Sequence, residues 1–297
     1  MSGKSRLDRV YAQLMSDHPY GWGLYKKVTT RDIHPGSCGY FDSEGDWNTI
    51  TDLSSPQDLT SQGWTIPDDG IYDNNSPGLT TWGPKSSNSI QARCIGGTAR
   101  ATGTVTSLRT SMTVSFESKS DQGAVLFTES PVIKHQVGDE LSALQWMAEN
   151  TSEMRRRHKH IIKTHGLWIV TKIYSTRRCA VAIMTSESSS VEINLDNAQG
   201  LLTLSPNSTW TSSSGSSCTE MHEDQDGIVV FISGIYFSQK LFQSRLRHSR
   251  DQKSQKDKIF RGGSDGSEDD ESDELDIEWF PSYDESEEKD GLDDEFT

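Results

Sequence analysis

Eight positions in one short stretch of this chain carry groups that could do chemistry: Arg155, Arg156, Arg157, His158, Lys159, His160, Lys163 and His165. Imidazoles at this density could hold a metal ion or move a proton. The spacing argues against both. His158 and His160 are two residues apart, which on a helix points them to different faces, and the five cations around them would repel a metal ion. The histidines therefore read as solvated, and the stretch reads as a cationic surface suited to anionic phosphate groups. The remaining reactive side chains are no better organised. Cys38, Cys94, Cys179 and Cys218 are scattered with no C-x-x-C pair, the pattern of reduced structural thiols. Ser2-Gly3-Lys4-Ser5 ends like a phosphate-binding loop but lacks the upstream glycine and strand. There is no Gly-x-Ser-x-Gly elbow and no His-Glu-x-x-His helix. The acidic run Asp265–Glu278 lacks the spaced ligands of a calcium loop. No catalytic, cofactor or metal-ligating set emerges, and the chain is not expected to be an enzyme.

The elements that must position the cationic stretch are legible around it. Asp139 can cap a helix carrying Leu141, Leu144, Met147 and Ala148. Asn150 followed by Glu153 resembles a capping box that restarts a helix as far as about Lys163. Gly166 then ends the helix and opens a buried strand to Tyr174. Upstream, Ile90–Glu117 reads as a hairpin turning at Thr106-Ser107. In its second arm Leu108, Met112, Val114 and Phe116 fall on one side, and Arg109, Ser111, Thr113, Ser115 and Glu117 on the other. The first arm alternates less strongly, and Arg100 falls on its polar side. Each arm has about the ten residues a strand needs to cross a bilayer. An ordinary half-buried hairpin in a soluble sheet alternates in the same way, so both readings stand at this point.

The rest of residues 1–239 is expected to fold as an α+β domain: a twisted, largely antiparallel sheet with a few helices. Leu7, Val10, Tyr11 and Leu14 give Ser5–Ser16 the spacing of an amphipathic helix, either packed on the domain or surface-seeking. Ser54–Pro84, rich in Pro, Gly, Asp and Asn, reads as a long loop pinned by Trp64, Tyr72 and Trp82. Gly123–Phe127 is apolar on both faces. Arg178–Met184 and Val191–Leu195 are expected to form a second hairpin across Thr185–Ser190. Ser205–Cys218 reads as a Ser/Thr-rich loop, and Gly227–Phe237 as a central strand. The N-terminal residues Met1–Arg9 are polar and no apolar segment follows, so an intracellular chain is expected.

Charge divides the chain. The whole carries −15, yet Asp265–Thr297 holds 17 acidic residues against one lysine, and Lys240–Gly263 holds 8 basic residues against 2 acidic. Residues 240–263 therefore read as a basic linker and 264–297 as an acidic disordered tail. Leu275, Ile277, Trp279, Phe280 and Tyr283 interrupt that tail, which suits a docking peptide better than a pure solvating chain. The basic runs could contact nucleic-acid phosphates, but residues 1–239 are net acidic and no DNA or RNA motif is present, so no nucleic-acid partner is expected.

Several blocks together carry a family likeness: Pro19–Tyr25, Pro35–Trp47, Trp82-Gly83-Pro84-Lys85, Gly123–Leu126, Gly166–Thr171 and Val229–Phe231. Over residues 1 to about 240 the chain resembles the fungal gasdermin-like cell-death proteins, the regulator-of-cell-death family of incompatibility factors. That resemblance implies a cytoplasmic protein that moves to the plasma membrane when activated, binds acidic phospholipids, oligomerises, and unfolds two hairpins into a transmembrane barrel. On this reading Arg155, Arg156, Arg157, Lys159 and Lys163 meet the lipid, and Leu108, Met112, Val114 and Phe116 enter it. An activating protease would cut near Leu241 and Phe242. Leu275, Ile277, Trp279 and Phe280 would form the inhibitory tail. The chain departs from animal gasdermins in lacking a large helical repressor domain after the core. The alternative is a soluble β-rich interaction module with an acidic tail; a nucleic-acid or chromatin-associated protein is the third reading.

Overall fold

A computed structural model describes residues 6–67, 71, 78–100, 109–198, 201–214, 216–238 and 276–281. In chain order the elements are α1 (Leu7–Leu14), β1 (Trp22–Gly23), β2 (Ser37–Phe41), β3 (Trp47–Asp52), α2 (Pro56–Gln62), β4 (Gly78–Thr80), β5 (Lys85–Ser86), β6 (Ile90–Arg100), β7 (Arg109–Ser118), β8 (Gly123–Thr128), β9 (Val132–Gln136), α3 (Glu140–His165), β10 (Leu167–Met184), β11 (Ser190–Ala198), β12 (Leu201–Thr203), β13 (Trp210–Ser214), β14 (Ser217–Ser238) and β15 (Asp276–Phe280). The fold is α+β, and among the described residues every strand pairing is antiparallel.

Two long strands form the axis. β10 and β14 pair from Leu167↔Phe237 to Met184↔Ser217. The far side of β10 is taken in succession by β2, β9 and β8. The axis kinks where the register slips, and one slip lies at Gly234. There φ is +156°, and a Cβ would stand 2.1 Å from the Ile169 carbonyl oxygen, so only glycine fits. β8 is buried along its whole length, as its unbroken apolar run requires.

A second sheet of five strands stands apart, in the order β12-β11-β7-β6 with β13 also on β11. Its inner face contributes Val114, Phe116, Val191, Ile193 and Leu195 to a core shared with Val125 and Phe127 of β8 and Ala180, Ala182 and Met184 of β10. The chain passes between the two sheets at residues 87–89, 119–122 and 185–189, and Ser216 precedes β14. Among the described residues these crossings are tied to one another: Ser118 N–H donates to Ser189 O (2.9 Å), Lys119 N–H to Ser89 O (2.9 Å) and Thr185 N–H to Ser216 O (2.9 Å).

Several expectations are corrected. The second hairpin does not form: β10 and β11 belong to different sheets, and β11 pairs instead with β7, from Ser190↔Glu117 to Asn197↔Thr110. Short sequence separation favours a hairpin, but the matching apolar faces of β7 and β11 decide the partner. The segment Gly166–Tyr174 and the run Arg178–Met184 are one strand, and Gly227–Phe237 is the inner half of β14. The loop Ser205–Cys218 contains β13, whose ladder groups are satisfied by β11. The region Ser54–Pro84 contains α2, capped by Ser55, opened by Pro56 and closed by Gly63 at φ +76°. Asn150 is not a cap. It is buried inside a single helix, donating to Trp146 O (2.8 Å) and Thr65 Oγ1 (2.6 Å), and the break in α3 falls at His158 instead. Finally, part of the tail read as disordered is a strand: β15 lies along β14, from Ser238↔Asp276 to Gly234↔Phe280.

Candidate functional site

Helix α3 presents the cations. Asp139 caps it, its carboxylate accepting from Leu141 N–H at 2.9 Å. Its inner face, with Leu144, Met147, Met154 and Ile162, lies in one core with Leu167, Ile169, Ile235 and Phe237. Arg155, half-buried, and Arg156 and Arg157, both exposed, precede the break at His158, and Lys159 and Lys163 follow it. Arg157 is fastened. It pairs with Glu153, donates to Gln62 O at 2.6 Å, and lies 4.4 Å from the Trp64 ring. Arg156 makes a fork to Glu153 at 2.7 and 2.5 Å. Hydrogen bonds from Arg156 and then Arg157 pull the Glu153 carboxyl down to about 2. Lys159 and Lys163 are exposed. Arg157 thus has a structural task that Arg155, Lys159 and Lys163 do not share in these contacts.

The histidines beside them do not converge. The His158 ring lies 6.3 Å from Trp64, and burial holds its pKa below the ordinary value. His160 is exposed. The His165 ring lies tilted against Tyr40 at 5.4 Å, and its carbonyl accepts from the Tyr236 hydroxyl at 2.9 Å. Among the described residues no three His, Cys, Asp or Glu side chains are grouped to hold a metal ion.

Of the strands read as membrane-entering, β7 and β11 form the middle of the smaller sheet, β6 lies at its edge, and Arg178–Met184 belongs to β10 in the larger one. Across β7 and β11 the apolar residues meet in register: Phe116↔Val191, Val114↔Ile193, Met112↔Leu195. Polar residues meet on the other face: Ser115↔Glu192, Thr113↔Asn194, Ser111↔Asp196. Thr113 Oγ1 donates to Asn194 Oδ1 at 2.6 Å on that face. Val114 is 3% exposed and Phe116 fully buried, whereas Met112 is half-buried. The β6–β7 ladder runs from Ile90↔Ser118 to Arg100↔Arg109, slipping between Ile95 and Gly97. Leu108 and the Thr106-Ser107 turn lie outside the described residues. Val191, Ile193 and Leu195 complete the apolar face; their alternation is visible in the sequence, but their partner strand is not.

The tail strand docks by both faces. Ile277 and Trp279 pack on the core that α3 also covers. Phe280 turns to the opposite side, 5.6 Å from Trp22, 5.0 Å from Trp168 and 6.4 Å from Tyr236. Phe280 and Glu278 also wall a cavity of about 210 Å³ shared with Arg9, Trp22, His165 and Trp168. Leu275, Leu241 and Phe242 lie outside the described residues.

Among the described residues no helix is long and apolar enough to cross a membrane; strands are a separate matter. No family model matches the sequence, and no curated protein matches it either. Among solved structures the chain is similar to a gasdermin A3 membrane pore determined by cryo-EM. The alignment covers 80% of this chain and 90% of that one, at 12% identity and a TM-score of 0.27. A superposition this loose supports no inference about activity.

Proposed function

We propose that the protein is a gasdermin-like pore-forming effector of programmed cell death. It binds acidic phospholipids through α3, self-assembles, and is held at rest by its C-terminal segment until a protease separates the two. In this reading it rests in the cytoplasm and acts at the plasma membrane. The blocks that resemble the fungal cell-death family suggest the activity. The observation that carries it is the smaller sheet. β7 and β11 keep apolar and polar residues on opposite faces across seven successive register pairs, from Ser190↔Glu117 to Asp196↔Ser111. The sheet meets β8 and β10 through side chains of one core, and its inner face gives up no main-chain ladder if it swings away. Lipid could then take over the apolar face that β8 and β10 now cover, so the hydrophobic cost of opening is met by the acyl chains. The ladders β6–β7, β7–β11 and β11–β12 stay intact within the sheet, so the main-chain groups between these strands remain paired, as a bilayer requires.

The alternative reading, a soluble β-rich interaction module, is favoured by one observation: Phe116 is fully buried and Val114 nearly so in a packed core. That is the ordinary fate of a half-buried strand. Dye leakage from vesicles containing anionic lipid, beside vesicles of neutral lipid, separates the two. The full-length chain is expected to be quiet, and the chain cut between its folded part and tail to release dye from anionic vesicles only. If cut chain that has lost its tail leaves both kinds of vesicle intact, the pore reading fails.

A further inference from the structure

The docked tail strand closes one edge of a short antiparallel sheet whose other edge is open. At the end of the molecule near α3 the strands run β15, β14, β10, β2, β3. Two register rows cross all five strands, with one slip in β3, between Thr49 and Thr51. Glu278, Tyr236, Trp168, Gly39 and Thr49 form one row, and Trp279, Ile235, Ile169, Cys38 and Thr51 the next. Among the described residues no strand lies beyond β3.

We infer that when β15 leaves, the bared edge of β14 at Gly234–Ser238 takes up β3 of a second copy, joining copies edge to edge into a continuous sheet. The inference rests on the release of the tail described above and goes beyond it in naming the surface and its partner. Three features carry it. The first is direction. Without β15 four antiparallel strands remain, an even number, so β3 and β15 run the same way, both opposite to β14. A copy placed alongside in the same orientation therefore delivers β3 antiparallel to β14, as β15 is now. The second is level and length. β3 has six residues and β15 has five, and Thr49 and Thr51 lie in the same rows as Glu278 and Trp279. The third is the chemistry of the faces. β15 offers Ile277 and Trp279 to the α3 side and Phe280 to the Trp168 side. β3 offers Ile50 to the α3 side and Trp47 to the Trp168 side. A second copy's β3 would thus continue each layer with apolar residues. An unpaired edge with its main-chain groups bared is a template for another strand. Pairing unlike edges of identical copies is head-to-tail, the geometry that closes into rings.

The test uses the full-length chain with a specific protease site inserted after Gly263, in a background with Cys94→Ser and Cys218→Ser. One preparation carries Asn48→Cys on β3, and a second carries Ser238→Cys at the end of the β14 edge. Each is cut, the two are mixed, and a short bis-maleimide is added. The expected product is a covalent dimer of one chain of each kind, abundant after cutting and at least tenfold scarcer before it. An excess of a synthetic peptide spanning residues 272–284 should suppress it. Uncut chain carrying Trp279→Ala and Phe280→Ala should form the same product. Cross-links only between chains of the same kind would overturn the inference. So would a cut chain that has lost its tail, checked by mass spectrometry, keeps its β-sheet circular dichroism, and stays monomeric. The readout needs no membrane: cross-linking without vesicle leakage would sink the pore reading alone, and leakage without it this inference alone.

Discussion

Replacing Trp279 and Phe280 with alanine should loosen the tail without touching the rest of the fold. Both side chains are half-buried in the docked strand. Full burial of a large apolar side chain contributes about 1.5–3 kcal/mol, so half-burial gives roughly 1 kcal/mol each. Phe280 also meets three rings at 5.0 to 6.4 Å, and an aromatic pair adds about 0.5–1.5 kcal/mol beyond area. Together the double variant should lose about 2–4 kcal/mol of docking free energy, a shift of roughly 30- to 1,000-fold toward the undocked form at 1.4 kcal/mol per tenfold. Hydrogen exchange at β14 reads this directly. In an antiparallel ladder the amides of one strand point alternately to its two neighbours. Within Gly234–Ser238 the amides facing β15 should exchange faster by about that factor, and those facing β10 should keep their protection. The variant should also leak anionic vesicles without being cut. If every amide of Gly234–Ser238 keeps wild-type protection, the rings do not hold the strand and the reasoning is wrong.

Other outcomes are equally open to measurement. Met112→Lys should abolish leakage while vesicle sedimentation and melting temperature stay close to wild type, because a lysine on the lipid face at the bilayer midplane costs about 2–4 kcal/mol; a large fall in melting temperature would instead assign Met112 to a permanent core. Phe116→Ala, which vacates the ring packed 5.9 Å from Phe127, should cost about 3–5 kcal/mol in denaturant titrations. Arg155→Glu with Lys159→Glu and Lys163→Glu should abolish sedimentation with anionic vesicles at unchanged melting temperature. Arg157→Ala should lower the melting temperature with little effect on lipid binding, since its guanidinium is spent on Gln62, Glu153 and Trp64. On acidification stability should fall in two stages. Burial depresses the pKa of His18, whose ring nitrogen lies 3.1 Å from Ser86 O. Unfolded chain therefore binds that proton first, and stability drops as pH falls below about 6.5; His18→Gln should flatten this part of the curve. Asp52 is depressed despite its burial by hydrogen bonds from His34 and Ser54. Its contribution is present above about 3.9 and is lost as pH falls through the lower, folded value.

Local physics determined a good deal of this protein from sequence alone. Alternation from Met112 to Glu117 specified the faces of β7, because side chains in a strand change sides at every residue. The unbroken apolar run of β8 declared burial on both faces. Asp139 and Gly166 marked the ends of α3, since each satisfies or releases main-chain groups that a helix cannot pair for itself. The cap pattern Ser55-Pro56 and Gly63 around α2 was equally present, hidden by a surrounding composition typical of loops. The run Leu275–Tyr283 was recognisable as too apolar for a solvating tail.

Only the tertiary structure decided which surfaces meet. Val191–Leu195 alternates plainly, yet nothing local says that it pairs with β7 rather than with its neighbour β10. Pairing depends on which apolar face is free once β8 and β14 have flanked β10. Arg157 looks like its neighbours in sequence and is set apart by Gln62 and Trp64, 95 and 93 positions away. The tail strand finds an edge of β14 that exists only after β10, β2 and β3 have assembled beside it. Patterns of period two or 3.6 record a residue's own face, whereas partners are chosen by shape and unpaired main-chain groups contributed from distant parts of the chain. For that reason the elements were readable one by one, and the packing of α3 and β15 in one core, and of the smaller sheet on β8 and β10 in another, was not.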